Sequence, residues 1–183
     1  MWIFLNDKFV CENEAVVSVF DHGFLYGDGI YETLRSYGSR LFMCEQHIAR
    51  LLRSAEAIGL AIPIHREHWP ELLHESMVRN DVGTPQRDAY LRITVSRGAG
   101  GIGLDPALCP SPTIVIMAKP LVAAAMALYE TGVDVILATT RRNLPSALSP
   151  QIKSLNFLNN ILAKIEANNA GCEEAIMLNA EGF

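Results

Sequence analysis

Leu148-Ser149-Pro150-Gln151-Ile152-Lys153-Ser154-Leu155-Asn156-Phe157 sets a single lysine between a helix-breaking proline and a run that favours helix. From Ser154 onward, Leu155, Leu158, Leu162 and Ile165 recur at helical spacing. Ala163, Glu166 and Ala167 are strong helix formers, and Asn168-Asn169-Ala170-Gly171 supplies a stop. The pattern predicts a helix with Lys153 just ahead of its N-terminus. A cation there meets the positive end of the helix dipole, a field that lowers an amine's pKa toward what a neutral nucleophile or base needs near pH 7. Spacing alone leaves two readings open, a tuned amine or a solvated loop lysine, since lysines are mostly exposed.

Working outward from this stretch, Glu174 to Asn179 reads as a strand, and Ala180-Glu181-Gly182-Phe183 stops as if inside a hairpin. Upstream, Val133 to Thr140 starts a new strand, and Lys119 to Ala127 looks like a linker, with Pro120 and a run of small residues. The expected organisation is a small N-terminal α/β domain over 1–120, a linker over 121–132, and the first part of a larger domain over 133–183.

The first of these opens with a hairpin, Trp2-Ile3-Phe4-Leu5 and Phe9-Val10-Cys11 around Asn6-Asp7-Lys8. Asp21-His22-Gly23 and Gly27-Asp28-Gly29 then shape a loop. Ile30 to Tyr37 alternates as a strand, with Tyr31, Thr33, Arg35 and Tyr37 on one face and Ile30, Glu32, Leu34 and Ser36 on the other. Cys44 to Ile58 is predicted helical, burying Ile48, Leu51, Leu52, Ala55 and Ile58. A second helix over Arg66 to Asn80 has Pro70 near its start and turns Leu72, Leu73, Met77 and Val78 inward. Ala89 to Ser96 is a strand with Tyr90, Arg92 and Thr94 on one face, and Thr113 to Met117 reads as a strand buried on both faces. Between them, Arg97-Gly98-Ala99-Gly100-Gly101-Ile102-Gly103-Leu104-Asp105-Pro106 holds four glycines, which suggests backbone approaching a ligand or another chain. It is neither a phosphate loop, lacking Gly-Lys-Ser/Thr, nor a dinucleotide fingerprint, since a strand follows.

Composition bounds the function. With 183 residues, 50% of them hydrophobic and 19% charged, the chain can bury a sizeable core. A net charge of −5 with scattered Lys and Arg gives no nucleic-acid footprint. No apolar run approaches the roughly 20 residues of a membrane span. Cys11, Cys44, Cys109 and Cys172 lie far apart, and no secretory leader precedes Asn6-Asp7, so reduced thiols in a cytoplasmic protein are expected. His65 and His68 could share a helix face without a third ligand, so no metal site is expected.

Three blocks together resemble the fold-type IV, pyridoxal-phosphate-dependent aminotransferases, the family of branched-chain amino acid aminotransferase, D-amino acid aminotransferase and aminodeoxychorismate lyase. They are Asp21 to Glu32 running into Glu45-Gln46-His47-Ile48-Ala49-Arg50-Leu51, Tyr90-Leu91-Arg92 with Arg97-Gly98, and Ile152-Lys153-Ser154-Leu155-Asn156. The resemblance covers the whole chain. It implies the D-amino acid aminotransferase-like fold: an α+β small domain plus the start of a barrel-like α/β large domain that binds the cofactor, C-terminally incomplete here. Lys153 matches the lysine that carries pyridoxal 5′-phosphate covalently and then moves the substrate proton. Arg50 matches the arginine that grips the cofactor phosphate. Phe157 stands where branched-chain enzymes have a tyrosine near the cofactor's phenolic oxygen. Tyr26, Tyr31, Tyr90 and Arg92 match substrate-pocket positions, for which ordinary strand aromatics and a surface arginine are the plainer reading. Ile102, Gly103 and Leu104 resemble the loop that enters the neighbouring subunit's site, so a homodimer is implied.

Departures from the pattern choose among the branches. Ala99 to Leu104 lacks the Arg and His with which D-amino acid enzymes hold the carboxylate, and Ile102 replaces the lyases' arginine. Tyr31 and Thr33 replace the usual branched-chain phenylalanine and glycine. The apolar Ile102-Gly103-Leu104 loop favours branched-chain L-amino acids as donors, with 2-oxoglutarate as the acceptor, held by Arg92 or in reserve by Arg97. The family continues for roughly another domain's length past this chain's end, carrying the pyridine-nitrogen partner and a second phosphate turn. The competing expectation is therefore a catalytically incompetent fragment of such an enzyme.

Overall fold

Alternating side chains build a six-stranded antiparallel sheet from β1 (Trp2–Leu5), β2 (Lys8–Cys11), β3 (Gly29–Tyr37), β4 (Arg40–Leu41), β5 (Ala89–Ser96) and β6 (Thr113–Pro120). Its order is β2-β1-β6-β5-β3-β4. The structure, a computed structural model, describes residues 1–122 and 126–183. Register sets the faces. Tyr31 pairs with Thr94, Thr33 with Arg92 and Arg35 with Tyr90, so these six side chains line one side of β3 and β5. On the other side Ile30, Glu32, Leu34, Leu91, Ile93, Ile114 and Ile116 are buried.

Two helices cover the buried side. α1 (His22–Tyr26) is a single short turn, but α2 (Cys44–Ala57) packs on β3 and α3 (Trp69–Arg79) packs on β6 and β1. Ile48, Leu51 and Ala55 from α2 meet the sheet, as do Trp69, Leu73 and Met77 from α3. Each such aliphatic side chain, taken fully out of water, contributes about 1.5–3 kcal/mol. Three expectations need correcting. The loop at 21–29 contains α1, because Asp21 caps it by accepting from the Gly23 amide at 2.7 Å and Gly27 closes it at φ 68°. Val78 faces solvent, and Ser76 takes the inward place, its hydroxyl satisfied by the Leu72 carbonyl at 2.8 Å. β6 is buried on one face only, through Ile114, Ile116 and Ala118.

Residues Met1–Leu121 with Lys153–Leu155 form one compact unit, and Val122–Ile152 with Asn156–Phe183 form a second. In the second unit β7 (Val135–Leu137) and β8 (Glu174–Ile176) pair in parallel, with the crossover helix α5 (Leu158–Asn169) packed on β8. α4 (Met126–Thr131) precedes them. Of the expected linker over 121–132, residues 123–125 lie outside the described residues. The predicted helix begins at Leu158, not beside Ser154. Its buried positions are Ala163 and Ala167, while Leu158, Leu162 and Ile165 are exposed. Among the described residues no helix is long and apolar enough to cross a membrane.

Candidate active site

Lys153 is held by its own backbone against the start of β3. Its carbonyl accepts from the Tyr31 amide at 2.9 Å, its amide donates to Ser54 Oγ at 3.2 Å, and two residues on, the Leu155 amide donates to the Gly29 carbonyl at 2.9 Å. Ser154 bridges Ile30 in antiparallel fashion. This close approach requires a glycine: a Cβ at residue 29 would stand 2.6 Å from the Val95 carbonyl oxygen and 2.7 Å from Leu155 Cδ1. Lys153 thus lies directly before the Ser154 bridge, five residues before α5.

The lysine side chain ends on a tyrosine. Nζ donates to Tyr31 Oη at 2.9 Å and lies 4.0 Å from that ring's centroid, and the Arg92 guanidinium lies 4.3 Å from the same centroid. Arg92 Nε also donates to Thr94 Oγ1 at 3.2 Å. Tyr90 shares this face two residues away, under the Lys119 ammonium at 5.4 Å. Three of the sequence-derived residues, Lys153, Tyr31 and Arg92, therefore converge.

Arg50 comes from α2, on the sheet's covered side. Its Nε and Nη2 donate to the two oxygens of Glu32, each at 2.7 Å. Glu32 also accepts from the Thr33 amide at 2.8 Å, and His47 Nδ1 lies 3.3 Å from its Oε1. Burial pushes the Glu32 carboxyl up, but the Arg50 fork, the Thr33 amide and His47 outweigh it and hold the group below the usual carboxylate range.

A second cluster forms around α1. Tyr26 Oη accepts from the Gly103 amide at 3.1 Å, and the His22 ring, packed edge-on against Tyr26 at 4.9 Å, meets the Gly101 carbonyl through Nε2 at 2.8 Å. The glycine-rich loop is pinned by its main chain, and Ile102 and Leu104 project outward, 80% and 83% exposed. Arg97 is buried, forked onto Asp28 at 2.8 and 3.0 Å and donating to the Ile58 and Gly59 carbonyls at 2.8 Å, so its role is structural and its reserve place as a carboxylate ligand falls away. Phe157 belongs to the second unit, immediately before α5.

The sequence profile described as Amino-transferase class IV matches residues 29–183, a span holding the Lys153 bridge, the Glu32–Arg50 pair and the glycine-rich loop. The chain is a class IV aminotransferase by family. It is 45% identical, over all its length, to a putative branched-chain-amino-acid aminotransferase of Methanocaldococcus jannaschii, of which it covers 61%. Among solved structures, the branched-chain aminotransferase of Thermoproteus uzoniensis with norvaline superposes with a TM-score of 0.87 at 32% identity, over 99% of this chain and 60% of that one. A T.th. branched-chain amino acid aminotransferase with pyridoxamine 5′-phosphate superposes at 0.91 and 28% identity, over 98% and 60%. The chain thus spans about three fifths of these relatives. Class IV relatives of other names also match, a D-alanine aminotransferase of Staphylococcus epidermidis at 35% over 95% of this chain and 59% of that one, and an aminodeoxychorismate lyase of Bacillus subtilis at 32% over 98% and 59%.

Sequence reasoning did not single out Glu32 and His47, which stand against Arg50, nor Ser54 and His22, which hold the Lys153 amide and the Gly101 carbonyl. For Glu32 the signal was present: the strand alternation sets it with Ile30 and Leu34 on the core side, and a core carboxylate demands a cation.

Proposed function

We propose that the protein carrying this chain is a pyridoxal-phosphate-dependent aminotransferase that takes branched-chain L-amino acids as donors and 2-oxoglutarate as acceptor. The carrying observation is the Lys153 amine at 2.9 Å from Tyr31 Oη, with the Arg92 guanidinium over the same ring. The cofactor needs a primary amine for its aldehyde and a planar cation for its phosphate. Lys153 and Arg50 fit both demands, and Arg50 offers a guanidinium that is 45% exposed. When bound, pyridoxal phosphate supplies the electron sink for carbanion chemistry.

The chain's own residues do the rest. Lys153 Nζ holds and moves the proton, and Tyr31 Oη fixes where that amine rests. Arg92, half-buried beside Tyr90 and Tyr31, is the cation for a distal carboxylate, while Tyr26 buttresses the loop carrying Ile102, Gly103 and Leu104. Phe157 joins the cofactor residues through its place in the lysine block alone. We assign a small domain to 1–120, a linker to 121–132 and the first part of the large domain to 133–183. The active assembly is a homodimer.

Lys153→Ala tests the reading. The variant should lose borohydride-trappable cofactor and transamination while keeping its stability to within about 1.5 kcal/mol, the scale of one hydrogen bond. Trapping retained in the variant would reject Lys153. A wild-type protein that stays colourless with the cofactor would favour a non-catalytic chain. In a donor panel Leu, Ile and Val should differ modestly, since a methylene in an apolar pocket is worth about 1–3 kcal/mol. Activity with D-Ala and none with L-Leu moves the protein to the D-amino acid branch, and pyruvate release from aminodeoxychorismate moves it to the lyase branch.

A further inference from the structure

Glu32 has no place in the site as assigned, yet its side chain is completely buried, one residue after Tyr31 on the helix-covered face of β3. A carboxylate withdrawn from water is tolerated only when its lone pairs are met. They are met here chiefly by Arg50, whose Nε and Nη2 each stand 2.7 Å from a carboxylate oxygen. The fork uses one edge of the guanidinium. Nη1 makes no hydrogen bond among the described residues, and Nη2 has His47 Nδ1 at 3.3 Å.

We propose that Glu32 is the positioning residue for Arg50: it locks the guanidinium plane so that the Nη1 end is presented, in one orientation, to the phosphate of the cofactor. The inference rests on reading Arg50 as the phosphate-binding cation. An arginine stem is rich in rotamers, and a bidentate partner on its Nε edge removes that freedom before the anion arrives. Electrostatics alone predicts the opposite sign. A negative charge next to an anion site opposes binding, so neutralising Glu32 should tighten it if charge were the whole matter.

The test is Glu32→Gln in the complete protein, titrating the apoprotein with pyridoxal 5′-phosphate and, separately, with pyridoxal, which lacks the phosphate. Affinity for the phosphorylated form should fall about tenfold or more, the scale of one charged hydrogen bond. Affinity for pyridoxal should stay within about twofold, and in an Arg50→Ala background the Glu32→Gln change should add nothing. Glu32→Asp, which keeps the charge and shortens the reach, should give the same phosphate-selective loss and carries the test if the glutamine variant does not fold. Unchanged or tighter binding of the phosphorylated form overturns the proposal, and so does an equal loss for both ligands, which is the mark of general damage. Arg50→Ala without loss of phosphate-dependent affinity sinks the Arg50 reading itself, whereas loss there with none in the Glu32 variants sinks only the positioning role.

Discussion

At Gly29 a single hydrogen decides whether the lysine bridge can dock. The glycine's carbonyl accepts from Leu155, and its Cα lies so near β5 that a methyl would meet the Val95 carbonyl at 2.6 Å. Backbone of a central strand cannot give way as a side-chain tip can. Gly29→Ala should therefore cost about 1–3 kcal/mol, the range for overpacking, and shift the 153–155 segment. Chemical denaturation measures the first effect, and faster hydrogen exchange at the Tyr31 and Leu155 amides measures the second. Unchanged protection of both amides would refute the docking argument. A sequence reading could see that a glycine turn ended near residue 29, but not which strand would approach it. Lys153 stood out because a proline precedes it and a helical period follows it in the chain, while its role came from the resemblance and not from the spacing. Its Ser54 and Tyr31 partners were not legible, since they stand 99 and 122 residues away.

Among the elements, α5 reads most clearly and misleads most. Its period is helical as expected, yet the packed stripe is the small one, Ala163 and Ala167, because alanines let a helix lie close to β8. Periodicity identifies a stripe and is silent about which neighbour covers it. What ties α5 to the β7 end is Glu166. Its carboxylate accepts from the Thr139 amide at 2.6 Å and hydroxyl at 2.8 Å, and from the Thr140 amide at 3.0 Å and hydroxyl at 2.5 Å. The Thr140 hydroxyl and the Thr139 amide lead in holding this carboxyl down, from the ordinary 4.5 to about 2. A folded-state value below the unfolded one means the clamp is fully present above about pH 4.5 and is lost as pH falls toward about 2. Protection of the Thr139 and Thr140 amides should therefore fall across that window, and Glu166→Gln should show lower protection at neutral pH with little further change on acidification. The same acid profile in both proteins would remove Glu166 as the cause.

On the scale of the whole molecule, the two loops least explained by a single chain are joined to each other. Phe20 and Ala99 lie side by side, with the Gly100 amide donating to the Phe20 carbonyl at 3.2 Å and Asp21 bridging Ala99. Tyr26 Oη accepts from the Gly103 amide at 3.1 Å, which fastens α1 to the glycine-rich loop. From this fastened pair Val16, Val19, Phe20, Phe24, Ile102 and Leu104 all project into solvent. Soluble monomers seldom expose a contiguous apolar patch beyond a few hundred Å². The loop's main chain is meanwhile pinned at Gly98, Gly100, Gly101 and Gly103. A two-fold interface uses the same patch on both copies, so one charge introduced there acts twice. Phe24→Glu combined with Ile102→Glu should convert the proposed homodimer to a monomer at micromolar concentration, read by light scattering on a sizing column. Both side chains are exposed in the single chain, so its own fold should lose little, about 0.5 kcal/mol or less per site. A dimer that survives both substitutions would place the interface elsewhere and leave the outward-facing loop without a second copy to cover it.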